Sequence, residues 1–205
     1  MEVSDKKDPR GQIVDAAITA FADRGYSGCS LGDIAKIAGL KSATLIFHYF
    51  PSKLDLLRSI ILEKSPAALL DDRREWLNQQ PPEIGLTEIA WSFFKMIDQP
   101  ISGPVIRIVI TEALRSQEFA KSFAGFGPVR MLGIVSSYME AQMEAGTIQR
   151  MDSQAAARSF LGPFIATLFY QVVWGHPVET DKHEALIKQY VNTFLYGAAV
   201  PVRVS

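Results

Sequence analysis

The stretch SLGDIAKIAGLKSATLIFHYF, residues 30–50, decides the fold. Ser30, with Asp33 three residues on, has the spacing of a capping box, and Ile34, Ala35, Ile37 and Ala38 supply a short apolar run behind it. Gly39 breaks that helix. Ser42 is placed to cap the next one, over 43–49, and Pro51 stops it. Two short helices around a glycine turn make a helix-turn-helix, in which the second helix enters the major groove of DNA and the first crosses the backbone. Ser42, Ala43 and Thr44 are small, as the groove end of such a helix requires. The four consecutive rings Phe47, His48, Tyr49 and Phe50 cannot share one face. Ile46, Phe47 and Phe50 are expected inward as anchors, which turns His48 and Tyr49 outward as donors for phosphate oxygens. Lys53 adds a cation at the start of the following helix.

Working outward, Asp8-Pro9 reads as a helix start, and Ile13, Ala16, Ala17, Ala20 and Phe21 form an apolar stripe that ends at Gly25. Ser52 with Asp55 caps a fourth helix, with Leu54, Leu57, Ile60 and Ile61 on one side. Beyond it, Pro66, Pro81-Pro82, Pro100 to Pro104 and Gly125 to Pro128 divide a longer, greasier region. Helices are expected near 66–79, 85–98, 104–116, 128–145, 153–174 and 182–197, with a frayed tail at PVRVS. No alternating strand pattern competes with them. The expected fold is all-α: a helix-turn-helix domain over 1–64, then a larger helical domain over 65–205.

Composition narrows the function. The 205 residues are 48% hydrophobic with a net charge of −1, which excludes a polybasic protein that coats nucleic acid by charge alone. Residues 1–64 hold 9 Lys/Arg against 8 Asp/Glu and the remainder 12 against 14, a weak lean towards an anionic partner for the N-terminal part. Cys29 is the only cysteine, so neither an intrachain disulfide nor a thiolate metal cluster can form. The start, MEVSDKKDPR, lacks the apolar core of a signal peptide. SFLGPFIATLFYQVVWG, residues 159–175, falls short of the roughly 20 residues of a membrane span and contains Pro163. It reads as a buried helix at a subunit interface of a cytoplasmic protein. His176 and His183, with Glu179 and Asp181 between them, could ligate a metal but read better as a polar loop. No catalytic signature is present, so neither an enzyme nor a cofactor is expected.

The order Phe21, Gly25, Ser30, Ile34-Ala35, Ala38-Gly39, His48-Tyr49-Phe50-Pro51-Ser52-Lys53 and Leu57 resembles the DNA-binding domain of the TetR family of transcriptional regulators. EALRSQEFAKSFAGFGPVR and AGTIQRMDSQAAARSFLGPF are similar to segments of the family's ligand-binding domains. Between Gly39 and Phe50 the chain is one residue longer than the family pattern. Anchored on FHYFPSK, the extra residue falls in the turn at Leu40-Lys41, which absorbs it at lower cost than a packed helix; anchored on Gly39, Ala43-Thr44-Leu45 takes the small-residue start and His48 and Tyr49 shift by one. The resemblance implies phosphate contacts from Ser30, His48, Tyr49 and Lys53, with Ser42, Ala43 and Thr44 nearest the bases. Lys36, Lys41 and an arm of Lys6, Lys7 and Arg10 add further contacts. Without an Arg to pair with guanine, sequence discrimination is left to thymine methyls, Lys41 and DNA shape.

The same resemblance implies a homodimer formed through 153–174 and 182–197, a palindromic operator, and release by a small, largely apolar effector. Aromatic and Met side chains suit such a pocket, and Trp91, Phe94, Phe123, Met131, Tyr138 and Phe164 are its candidates, with Arg107 as polar anchor. The protein is then a ligand-responsive regulator, expected to repress. The alternatives are an activator or global regulator without a ligand, and a helical small-molecule-binding protein or enzyme.

Overall fold

Pro9 takes the first position of α1 (Pro9–Arg24), where its missing N–H costs nothing, although Asp8 before it makes no side-chain cap bond. The structure, a computed structural model, describes residues 8–64, 66–100, 102–125 and 127–197. Its further helices are α2 (Leu31–Ile37), α3 (Thr44–Tyr49), α4 (Lys53–Lys64), α5 (Pro66–Asp71) and α6 (Arg74–Asn78). Then come α7 (Pro82–Ile97), α8 (Ser102–Arg115), α9 (Gln117–Ala124), α10 (Pro128–Glu144), α11 (Ser153–Val172) and α12 (His183–Tyr196). The described residues contain no strand.

Three elements depart from the sequence expectation. The helix expected over 66–79 breaks at 72–73. Asp71 and Asp72 meet the negative end of the α5 dipole there, and Asp71 instead receives the guanidiniums of Arg74 and Arg130. These two cations outweigh the cost of burial and hold the Asp71 carboxyl below its ordinary range. Helix α7 starts three residues early because Pro82 serves as its first residue. Helix α9 was not expected at all; Ser116 caps it by accepting the Phe119 N–H at 3.2 Å.

The chain folds into two compact units, 1–65 with 100–127 and 66–99 with 128–205. The chain leaves the first unit near residue 65 and returns to it over residues 100–127. Val105 and Ile108 of α8 and Phe119 and Phe123 of α9 share a core with Ile13, Phe21, Ile34, Ile46, Phe50 and Leu57. The Phe119 and Phe123 rings stack at 4.4 Å, and Phe119 meets the edge of Tyr26 at 5.8 Å. Ser27, after α1, donates to the Glu112 carboxylate of α8 at 3.0 Å.

The second unit buries Phe94, Tyr138, Phe160 and Phe164 among α7, α10, α11 and α12. Phe164 is the hub, with ring centroids of Phe93, Phe94, Phe160 and Tyr190 at 5.6, 6.1, 5.3 and 5.2 Å. The Tyr138 hydroxyl donates to the Gln80 carbonyl at 3.1 Å, and burial pushes its phenol well above the ordinary range. The ring lies on Gly85 so closely that a Cβ there would sit 2.1 Å from the hydroxyl oxygen. Gly85→Ala is therefore expected to lose about 1–3 kcal/mol through overpacking, read as a lower urea midpoint.

His183 corrects the polar-loop reading. It opens α12, is fully buried, and lies 4.3 Å from the Phe94 ring with Nε2 3.2 Å from the Val178 carbonyl. Among the described residues no helix is long and apolar enough to cross a membrane.

Candidate nucleic-acid interface

Ser30 and Asp33 form the expected capping box of α2: Ser30 Oγ accepts the Asp33 N–H at 3.1 Å and Asp33 accepts the Ser30 N–H at 2.9 Å. The Ser30 hydroxyl also donates to the Asp33 carboxylate at 2.6 Å. These bonds hold that carboxyl below its ordinary range, with Arg24 3.5 Å away assisting. At the other end Gly39, at φ +70°, closes a left-handed cap. The Leu40 N–H reaches Ala35 O at 2.9 Å and the Gly39 N–H reaches Lys36 O at 3.1 Å, which satisfies carbonyls that the helix end leaves open. Residues 40–43 then lie outside both helices.

Helix α3 is six residues long. Ser42 Oγ accepts the Thr44 N–H at 3.3 Å at its start. Ile46 and Phe50 point inward and are buried, while Thr44, Leu45, Phe47 and His48 are exposed. Phe47 overturns an expectation. It is 55% exposed and anchors nothing, so of the three expected anchors only Ile46 and Phe50 are buried. With Ile46 and Phe50 four residues apart, Phe47 lies one step of about 100° past the buried direction. Tyr49 is half-buried and His48 meets it edge-on at 5.2 Å. Lys36, Lys41 and Ser42 are exposed, and Ala43 is half-buried.

Two of the expected phosphate contacts are otherwise engaged. Lys53 turns inward: its Nζ donates to Tyr26 O at 2.7 Å and Cys29 O at 2.8 Å, and sits 4.4 Å from the centre of the Tyr26 ring. It ties the first turn of α4 to the chain between α1 and α2. The Ser30 hydroxyl is committed to Asp33. Arg10 also faces inward, donating to Ser59 at 2.6 Å and lying over Phe50 at 5.3 Å. Lys6 and Lys7 lie outside the described residues. Cys29 is buried, and burial pushes its thiol up against the weaker pull of Lys53, the opposite of a redox-active cysteine.

The seven pocket candidates divide between the units. Phe94, Met131, Tyr138 and Phe164 belong to the core of the second, with Trp91 packed against it. Phe123 lies in the core of the first unit, and Arg107 is exposed on α8.

A capped helix, a glycine-closed turn and a short helix with an uncharged outward face define a helix-turn-helix DNA-binding protein. The chain belongs to the TetR family. Residues 13–60 match the family described as bacterial regulatory proteins, tetR family, and residues 84–197 match the AefR-like transcriptional repressor C-terminal domain. The family is one of regulators and not of enzymes.

Among curated relatives, the chain is similar to the biofilm operon icaADBC HTH-type negative transcriptional regulator IcaR of Staphylococcus aureus. The two are 43% identical over 118 residues, which is 57% of this chain and 60% of that protein, so the chain spans about three fifths of its relative's length. Two solved structures share the fold. The fatty acid degradation regulator FadR of Bacillus halodurans has 25% identity and a TM-score of 0.70, over 96% of this chain and 100% of that one. FadR of Bacillus subtilis in complex with stearoyl-CoA has 22% identity and a TM-score of 0.73, over 92% and 98%.

Proposed function

We propose that the protein represses transcription by binding a palindromic operator as a homodimer and leaves it when a small, largely apolar effector binds. The observation that carries this reading is the orientation of α3, with Ile46 and Phe50 holding it from behind while Thr44 and His48 face outward. Lys36, Lys41, Ser42 and the Tyr49 hydroxyl supply the surrounding phosphate contacts. Lys53, Ser30 and Arg10 act from behind, fixing the helices that present those groups. Two copies are needed because one short helix reads too few base pairs for useful specificity. The copies pair through α11 and α12.

The effector reading rests on the apolar, aromatic composition of the second unit around Phe94, Tyr138 and Phe164, a core that is closed and packed here and has to open to admit an acyl chain. The related FadR that holds stearoyl-CoA supports an acyl chain as the first probe. Effector and operator then weaken each other's binding by the same factor.

Fluorescence-anisotropy titration on the DNA flanking the gene, from roughly 50 to 200 mM salt, tests the reading. Wild-type affinity is expected to fall steeply with salt, and Lys36→Ala and Lys41→Ala to flatten the slope by about one unit each. Stearoyl-CoA or free stearate is expected to lower operator affinity. Salt-independent binding, or no saturable binding to any genomic fragment after refolding from denaturant, sinks the regulator reading. An operator that overlaps no promoter element but lies upstream of it marks an activator.

A further inference from the structure

Between Lys41 and Lys53 the chain carries no Lys, Arg, Asp, Glu, Asn or Gln. The side chains that pair bidentately with guanine or adenine in the major groove are therefore missing from α3 altogether. Its outward arc can be reconstructed from the buried residues. At about 100° per residue, with Ile46 and Phe50 inward, Thr44 and His48 stand at the centre of that arc, and Leu45 and Phe47 flank them on opposite sides. Leu45 is 37% exposed and Phe47 55%, and neither joins the core of its unit. Half of the outward face of the groove-entering helix is thus apolar.

The major groove presents one apolar feature that such side chains can recognise, the C5-methyl group of thymine. We propose that Leu45 and Phe47 are specificity-determining residues that read thymine methyls at the two edges of α3. This rests on the DNA-binding reading above and deepens it. Thr44 and His48 make the polar contacts between those edges, and the half-site carries thymine where Leu45 and Phe47 pass.

Uracil lacks only that methyl, so exchanging thymine for uracil tests the inference. The full chain selects its sites from a random duplex library, and the enriched half-site is then resynthesised with uracil replacing thymine one position at a time, in both half-sites together. At one or more positions wild-type affinity is expected to fall about fourfold per methyl, hence about 15-fold for the symmetric pair, the factor for leaving one buried methyl unburied at each site. Leu45→Ala or Phe47→Ala, checked for unchanged helicity and melting, is expected to bind the thymine and uracil versions of that position equally. Two outcomes overturn the proposal: no position at which uracil weakens the wild type, or a uracil penalty that survives undiminished in both variants. Enrichment of no sequence at all removes the DNA-binding reading itself, and is distinct from either.

Discussion

Tyr170→Glu combined with Trp174→Glu is expected to convert the proposed dimer into monomers and to lower operator affinity at least 100-fold, the scale lost when two linked half-site contacts become one. Along α11 and the turn that follows it, Ile165, Phe169 and Val173 follow one another at four-residue intervals, and Tyr170 and Trp174 form an adjacent row. These five side chains are 45, 37, 47, 57 and 58% exposed in the order named. The Tyr170 and Trp174 rings lie 5.1 Å apart, so the stripe is continuous. Its opposite face, with Ala157, Phe160, Leu161 and Phe164, already fills the core of the second unit. Contiguous apolar surface of this kind marks an interaction site. Placing two carboxylates on the outer face leaves that core untouched, so the variant keeps its helicity and a cooperative melt, at a midpoint lowered by the lost association, while sedimentation velocity reports the smaller species. A variant that still sediments as a dimer and still binds the operator places the interface elsewhere.

Lys53→Met separates a structural role from a phosphate contact. Methionine keeps much of the aliphatic stem but leaves the Tyr26 and Cys29 carbonyls without the ammonium that now bridges them. Hydrogen bonds from a charged donor contribute about 1.5–3 kcal/mol, and the melting temperature is expected to drop by about 5–10 °C. Operator affinity falls with it, because only three residues separate the end of α3 from the start of α4, so the tie also braces the reading helix. The slope of affinity against salt is expected to stay at the wild-type value, unlike that of Lys41→Ala. A slope flatter by about one unit would falsify this role and return Lys53 to the phosphate contacts.

Local chemistry made much of the reading head legible. The Ser30–Asp33 and Ser52–Asp55 caps are written in four residues each and form as spaced, the second with Ser52 Oγ accepting the Asp55 N–H at 3.1 Å. Gly39 ends α2 for a reason visible in sequence, since it must adopt a positive φ. The orientation of Phe47 was not legible. A six-residue helix holds less than two turns, too few for periodicity to fix which of four neighbouring rings faces inward. Helix α9 had its own signal in Ser116 followed by Glu118, and the phenylalanines Phe119 and Phe123 four apart.

The inward turn of Lys53 depends on the Cys29 and Tyr26 carbonyls, 24 and 27 residues away, and the ring packing of His183 depends on Phe94 of α7, and no short window contains those pairs. Composition marks Phe94 and Phe123 alike, and only the packing assigns them to different units.

The interleaving of the two units bears on how sensors of this kind can be recombined. The polypeptide passes from one unit to the other three times, near residues 65, 99 and 127. A graft that transplants residues 1–65 onto a foreign sensor leaves Val105, Ile108, Phe119 and Phe123 behind, and with them the cover over Phe21 and Tyr26. The portable module is the N-terminal segment together with the α8–α9 hairpin. A chimera that respects it has to be spliced at three junctions instead of one.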